Sequence, residues 1–364
     1  MSTSKKITDK KQLYILLATA AAVLIAVAGS VIVVDPFFHY HKPLQGFPYV
    51  VDNQLSQNPG MAEHFDYDSV IIGSSMTVNF DTDDFAEHMG LNTIKLCYSG
   101  AYPKDDANIM EVVLEVQSNR TKDATESSPG HGANALKAVF LPMDLPVMTG
   151  DVDEVKYPRP EYLYDDNLLN DVQYILNKDV FLQYVVRPVL NPNPTDLSMV
   201  YASWWTDEYY NEEYVRAGHV LPEIAKEEVS RDALIERTEA NLRENIIPFL
   251  EAAPDTTFYF FYPPYSILYW ENVVREKRLE AVLYQTEYVT EQLLQYENVR
   301  VFFFQDMEEV VCDLNNYADY THYHPEVNRY MTQSFATGAH EVKSGEIGGH
   351  IDAVRTMVGR NPFF

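Results

Sequence analysis

The stretch Asp68-Ser69-Val70-Ile71-Ile72-Gly73-Ser74-Ser75-Met76 decides how the chain is read. Val70, Ile71 and Ile72 form a short apolar, β-branched run, the composition of a strand buried on both faces. Gly73 ends the run. Ser74 and Ser75 follow on a tight turn, and an acidic helical segment starts at Asp81. A serine at the tip of a strand, on a turn feeding a helix, holds its hydroxyl above the sheet edge with backbone N–H groups close by. The same turn also serves as an ordinary helix cap, so its reading depends on the rest of the chain.

Outward from this turn, strand and helix patterns alternate. Strands are expected at 69–72, 93–97, 137–141, 257–261 and 300–304. A helix follows Pro103 with Ile109, Met110, Val112, Val113 and Val116 on its apolar side, and 117–135 reads as a polar loop. Further helices are expected at 226–251, at 267–296 and from Pro325. This order predicts an α/β three-layer sandwich, a parallel sheet of about five strands flanked by helices. Ligands of such sheets bind beyond the carboxyl ends of the strands, where Ser75, Gly100, Asp144 and Tyr265 fall. Residues 150–227, rich in Tyr, Asp, Asn and Pro, break the rhythm as an inserted helical and irregular segment. Such an insertion either lines a substrate cleft or packs over the sheet.

Of 364 residues, 46% are hydrophobic, enough for a large core, and a formal net charge of -27 argues against a nucleic-acid partner. Residues 13–34 carry no charge and are long enough to span a bilayer as a helix. Lys5, Lys6, Lys10 and Lys11 precede them, so the positive-inside bias puts 1–12 in the cytoplasm and the chain beyond Asp35 outside. Ala26-Val27-Ala28 resembles a signal-peptidase site, but the apolar run continues through Val34 and favours an uncut anchor. Residues 35–66 read as an irregular juxtamembrane segment. His39 and His41 there, among Phe37, Phe38 and Tyr40, suit an interfacial collar better than a metal site. Cys97 and Cys312 make no disulfide framework, and their core-like surroundings suit free thiols.

A second constellation follows the fifth strand. In Asp319-Tyr320-Thr321-His322, the acid and the imidazole stand three apart in a loop at the same sheet edge as Ser75. A histidine that takes a serine proton needs a carboxylate to fix its tautomer and stabilise its cation, and one turn of Asp-x-x-His supplies it. His322, His324 and Asp319 also make a partial metal set, but no further ligands cluster there, so no metal or other cofactor is expected. Tyr265 and Trp270 are candidates to shape an acceptor site, because aromatics pack on sugar rings; core packing is the competing role. Asp144 either contacts substrate or caps its turn.

With these residues the chain resembles the SGNH (GDSL-like) hydrolases over about residues 66–340. Gly73-Ser74-Ser75 is similar to their first block, with Ser74 in place of the usual Asp, which implies Ser75 as nucleophile. Gly100 is similar to the glycine of their second block, and Asp319-x-x-His322 to their last. The segment Leu141-Pro142-Met143-Asp144 lacks the Asn of their third block. The resemblance therefore implies catalytic Ser75, Asp319 and His322, with an oxyanion hole from the backbone of Ser75 and Gly100 and a third donor unassigned. The Gly-Ser-Ser start and the anchor look more like extracytoplasmic D-alanine-transfer proteins and other anchored members that work beside membrane-bound O-acyltransferases. The expected organisation is a tail at 1–12, an anchor at 13–34, a juxtamembrane segment at 35–66, an SGNH-like, flavodoxin-like domain at 67–340 with the insertion at 150–227, and a tail at 341–364 with a short helix around 350–358. The expected function is serine-dependent acyl transfer or ester hydrolysis on a cell-envelope polysaccharide or teichoic-acid-like polymer. The alternative is a non-catalytic partner of a membrane-bound O-acyltransferase with a vestigial site.

Overall fold

The computed structural model describes residues 2–126, 135–203 and 205–361. The chain forms two compact units, one of Met1–Phe65 with Arg159–Asp196, the other of Asp66–Pro158 with Leu197–Phe364. The inserted segment is thus shared between the two units.

In the first unit, helix α1 (Ser2–Val34) contains one stretch, Lys10–Val34, long and apolar enough to cross a membrane by length and composition. Its end is capped by Asp35, a buried residue at φ 48°. The Asp35 carboxyl accepts the backbone N–H groups of His39, Tyr40 and His41 at 2.7–3.0 Å and the Tyr174 hydroxyl at 2.8 Å. Val31, Phe37, Leu163, Tyr174, Val180 and Val185 pack into this unit's core. Residues 35–66, expected to be irregular, contain helix α2 (Gln54–His64) with Pro59 inside it. A proline cannot donate to the carbonyl four residues back. That carbonyl, of Leu55, accepts the Tyr164 hydroxyl instead (2.9 Å), so the helix survives a residue that reads as a breaker.

The second unit is an α/β sandwich. Strands β1 (Ser69–Ile71), β2 (Thr93–Lys95), β3 (Ala138–Pro142), β4 (Thr257–Tyr262) and β5 (Val299–Phe303) are parallel, as expected. A sixth, β6 (Glu341–Val342), joins antiparallel to β5 and completes the order β2-β1-β3-β4-β5-β6. The two sides of β4 show the layering. Phe261 meets Phe335 of helix α8 (Pro325–Thr337), with ring centroids 5.5 Å apart, on the face also covered by α3 (Thr82–Met89). Tyr262, on the other face, hydrogen-bonds Thr290 of α7 (Leu279–Leu293) at 2.8 Å. Helices α4 (Pro103–Glu126), α5 (Arg231–Asn245) and α9 (Ile347–Arg360) complete that layer. Phe335 sits at the centre of the opposite layer, within 5.1–5.5 Å of Phe140, Phe261 and Phe302.

Several expectations need correction. Residues 117–126, expected as loop, continue α4, and the Arg120 guanidinium on that extension lies over the Tyr67 ring at 5.0 Å; residues 127–134 lie outside the described residues. The helix expected at 267–296 is two, α6 (Ile267–Arg275) and α7, broken where Lys277 takes φ 52°. Residues 222–229 dock on the break: Ala225 N–H donates to Arg275 O (2.8 Å), and Lys277 Nζ to Lys226 O (2.8 Å). The helix expected from Lys226 begins at Arg231. The expected tail supplies β6 as well, and its helix, expected around 350–358, is the longer α9, which buries Ile347, Ile351, Val354, Met357 and Val358. Cys97 and Cys312, by contrast, are free thiols as expected.

Glu341 on β6 forms a two-pronged pair with Arg300 on β5, at 2.9 Å and 2.7 Å. The Arg300 hydrogen bonds outweigh burial and bring the Glu341 carboxyl down to about 2. A depressed carboxyl adds stability above its unfolded value, and loses it as pH falls toward the folded one. Glu341→Gln is expected to lower the melting temperature by roughly 2–4 °C at neutral pH, equivalent to about 1 kcal/mol. In thermal melts the gap to the parent should narrow as pH falls from about 5 to 3.

Candidate active site

The sheet order places the ends of β1 and β3 where the chain reverses its direction of winding, the usual ligand position in open α/β sheets. After β1, Gly73 takes φ +126°, and its carbonyl accepts Tyr98 N–H at 2.8 Å. A Cβ there would lie 2.3 Å from Pro142 Cδ, so both the turn's backbone and its close approach to β3 require glycine. Gly73→Ala is expected to cost at least about 2 kcal/mol. It should also shift Ser75, so reactivity at that serine should fall together with the melting temperature.

Ser74 and Ser75 play different parts. Ser74 is buried; its Oγ accepts Met76 N–H (3.2 Å) and donates to the Asp144 carboxyl. Ser75 opens a short 3-10 turn, Ser75–Thr77, and its Oγ lies 2.8 Å from His322 Nε2. The His322 Nδ1 is 2.7 Å from Asp319 Oδ2. Asp319 Oδ1 accepts the backbone N–H groups of Thr321 and His322, each at 2.8 Å, a local turn that Asp-x-x-His spacing favours. Burial works against charge on Asp319, but the bonds from the His322 ring and from the backbone N–H groups of His322 and Thr321 hold its carboxyl below the usual range. An ionised Asp319 assigns the His322 proton to Nδ1 and leaves Nε2 free to accept from Ser75.

Buried hydroxyls fix the Asp319–His322 loop. Tyr317 OH donates to Pro264 O (2.6 Å), Ser266 Oγ to Tyr320 O (2.7 Å), and Tyr323 OH to Met76 O (2.8 Å). The last of these ties the histidine loop to the serine turn directly. Trp205, from the inserted segment, packs on His322 with ring centroids 4.7 Å apart.

A cleft of about 320 Å³ opens at this point, lined by Ser75, Gly100, Asp144, Tyr265 and His322 among others. Among the described residues, no group of the chain accepts the backbone N–H of Ser75 or of Gly100. Gly100 takes φ +74°, with the Lys156 side chain at its rim. Asp144 receives the Ser74 and Tyr265 hydroxyls, and burial raises its carboxyl above the ordinary range despite those bonds and the nearby His322. The break between α6 and α7 brings Glu276 and Arg278 to the cleft, paired at 2.9 Å, beside Tyr269 and Asn272. Ala101, Asp144 and Val147 also line a second, mainly apolar cavity of about 30 Å³, walled by Met110, Met148 and Phe249 among others, with Asp106 and Asn245 also in its lining.

The structure brings Ser75, Asp319, His322, Gly100, Asp144 and Tyr265 to one place, with Asp319 in contact through His322. Trp270 is a correction: it is fully buried in α6, where its apolar neighbours hold it in the core, and it does not reach the cleft. His324 turns away from His322; its Nδ1 accepts Glu326 N–H at the start of α8, and its ring packs on Tyr210. His39 and His41 lie in the first unit, near Asp171 and the Lys42 carbonyl. Trp205, Glu276 and Arg278 were not legible as site residues. Trp205 sits in an irregular aromatic stretch with no period, and the other two reach the cleft only because a helix breaks.

No family model matches this chain, and no curated protein or solved structure matches it.

Proposed function

We propose that the second unit is a serine-dependent acyl-transfer or ester-hydrolysis enzyme of the SGNH type. One observation carries this reading: Ser75, His322 and Asp319 form a continuous hydrogen-bonded relay at 2.8 Å and 2.7 Å beside a cleft lined by Ser75 and Gly100, whose backbone N–H groups have no acceptor among the described residues. Ser75 and His322, 247 residues apart in sequence, reach this geometry only through the fold.

The chemistry follows from the geometry. Ser75 Oγ attacks the acyl carbonyl carbon while its proton passes to His322 Nε2. Asp319 stabilises the resulting imidazolium and stays ionised itself. The carbonyl oxygen takes up the negative charge and is held by the N–H groups of Ser75 and Gly100. Collapse breaks the ester C–O bond, and His322 returns the proton to the leaving alcohol. An acceptor hydroxyl or water then attacks the acyl-serine and gives its proton to His322, which passes it back to Ser75 Oγ as the acyl group departs. The wall of Tyr269, Asn272, Glu276 and Arg278 suits a hydroxyl-rich acceptor. The mainly apolar cavity beyond Ala101 and Val147 is small, room for about two water-sized groups, and Asp106, Asp144 and Asn245 share its lining, which suits a short acyl group.

The lysines in the first turns of α1 and the apolar run that follows them support an anchor with a cytoplasmic N-terminus and the catalytic unit outside. The substrate in that compartment is an O-acylated envelope glycan or teichoic-acid-like polymer, and a membrane-bound O-acyltransferase is a fitting donor of acyl groups.

Treatment of the detergent-solubilised full chain with a serine-directed fluorophosphonate tests the reading. The serine oxygen displaces fluoride from phosphorus, and mass spectrometry locates the adduct. A single adduct on Ser75, lost in His322→Ala, is expected. A folded protein without that adduct would sink the nucleophile assignment and favour a non-catalytic partner protein.

A further inference from the structure

The first unit exposes an unusual amount of apolar side chain to solvent in one short segment. Leu168, Leu169, Leu176, Leu182, Val189 and Leu190 are all exposed, Leu169 at 89%. Scattered surface leucines are ordinary, but so many in 23 residues are not expected of a face that meets water. The segment is amphipathic in an inverted sense. Tyr174, Val180, Val185 and Pro188 point into the unit's core, and the opposite side carries leucines where a soluble protein carries charge.

The position of the segment within its own unit says what covers that side. Val172–Ile175 and Val180–Val186 pack directly on α1. They meet it at its end: Val31 is fully buried there and Val34 partly so, whereas residues 10–26 of α1 are exposed. The apolar run of α1 covers residues 13–34, and at about 1.5 Å per residue it is roughly 33 Å long, close to a bilayer's hydrocarbon thickness. Elements packed on Val31 and Val34 therefore lie at the depth where that run leaves the hydrocarbon. The same depth carries Tyr40 and Tyr49, whose hydroxyls bond Asp171 and the Val34 carbonyl; tyrosines favour membrane interfaces. Lys178 and Arg187 have stems long enough to cover apolar surface and keep their charges in water. Asp171 and Asp179 balance Lys178 and Arg187, which leaves the segment without a net basic surplus.

We infer that residues 168–190 form a second membrane contact, a monotopic face whose leucines sink into the outer interfacial layer of the lipid bilayer beside α1. The occupant is hydrocarbon rather than anionic headgroups, so zwitterionic lipid suffices. Such a face fixes the tilt and rotation of the first unit at the surface, which a lone spanning helix leaves free. This inference rests on the reading of α1 as a membrane span.

The full-length chain reconstituted in phosphatidylcholine vesicles that carry a diazirine-bearing phospholipid provides the test. After irradiation, lipid adducts are mapped by mass spectrometry. Adducts are expected in two places, within 13–34 and within 168–190. The triple change Leu169→Glu, Leu182→Glu and Leu190→Glu alters exposed positions only. It should reduce adducts in 168–190 at least fivefold and leave those in α1 and the melting temperature unchanged. Adducts confined to α1 would overturn the monotopic face and leave the span intact. Absence of adducts from both segments would overturn the span and the face together. A parallel reaction with a bifunctional amine-directed reagent that joins two chains through Lys178, with no lipid adducts in 168–190, would assign the surface to a second copy and also overturn the inference.

Discussion

Replacing Ser75 by alanine is expected to lower turnover of a simple ester such as p-nitrophenyl acetate by about 10⁴-fold or more, the usual consequence of losing a triad nucleophile. The loss should fall on kcat, because in the proposed mechanism the Ser75 oxygen forms the acyl–serine bond and contributes little to ground-state binding. Folding should be almost untouched. Ser75 Oγ bonds only the His322 ring among the described residues, and the site is partly open to water. Ser74→Ala provides the contrast. Ser74 is buried and links the turn to Asp144, so its loss should reduce the melting temperature and move the turn, while a fluorophosphonate still labels Ser75. Equal activity of the parent and Ser75→Ala would exclude Ser75 as nucleophile. Labelling at Ser74 instead would transfer the role to its neighbour.

Asp319→Asn should be nearly as damaging, with a loss of about 10⁴-fold, as in serine triads where the orienting carboxylate becomes an amide. The backbone bonds of the loop should persist, because an amide oxygen can still accept the N–H groups of Thr321 and His322. What changes is the face toward the His322 ring. An amide NH₂ next to Nδ1 donates, which moves the imidazole proton to Nε2, and a protonated Nε2 cannot accept the proton of Ser75. The variant should therefore remain folded, keep its affinity for substrate and lose the fluorophosphonate reaction. Asp319→Glu, which restores the charge at a different reach, separates lost charge from lost geometry. A variant Asp319→Asn with more than a tenth of the parent rate would show that the carboxylate does not orient a catalytic histidine here. Because its carboxyl lies below the usual range, Asp319 contributes stability above its unfolded value and loses it only as pH falls toward its folded one. Mild acid should therefore leave this carboxylate ionised and the loop intact.

Local chemistry wrote much of the fold into the sequence. Short β-branched and aromatic runs mark all five parallel strands within a residue or two, because a strand buried on both faces tolerates little else. Uncharged length alone marks α1. Asp319 and His322 were legible because their contact is local, one turn of backbone with the carboxyl accepting its own loop's N–H groups. Gly73 was legible as a stop, although the reason only glycine fits, the Pro142 ring 2.3 Å away from a Cβ there, belongs to β3.

Where partners lie far along the chain, no local signal exists. Pro59 reads as a breaker, yet α2 continues because Tyr164, 109 residues beyond Leu55, satisfies the freed carbonyl. The helical period from 267 to 296 continues through a real break, because residues 222–229 supply the hydrogen bonds that pay for a left-handed Lys277. The expected acceptor-site role of Trp270 ended in the core, since an aromatic side chain carries the same signature whether it meets a sugar ring or a buried sheet. The sequence by itself determined the strand order along the chain, the membrane-length helix and the acid–histidine turn, all set by neighbours within a few residues. The tertiary structure alone decided that Ser75 meets His322 across 247 residues, that Trp205 stands against that ring, and that the inserted segment divides between two units. Those outcomes depend on which distant surfaces bury one another, a free energy summed over the whole fold and written in no single stretch of it.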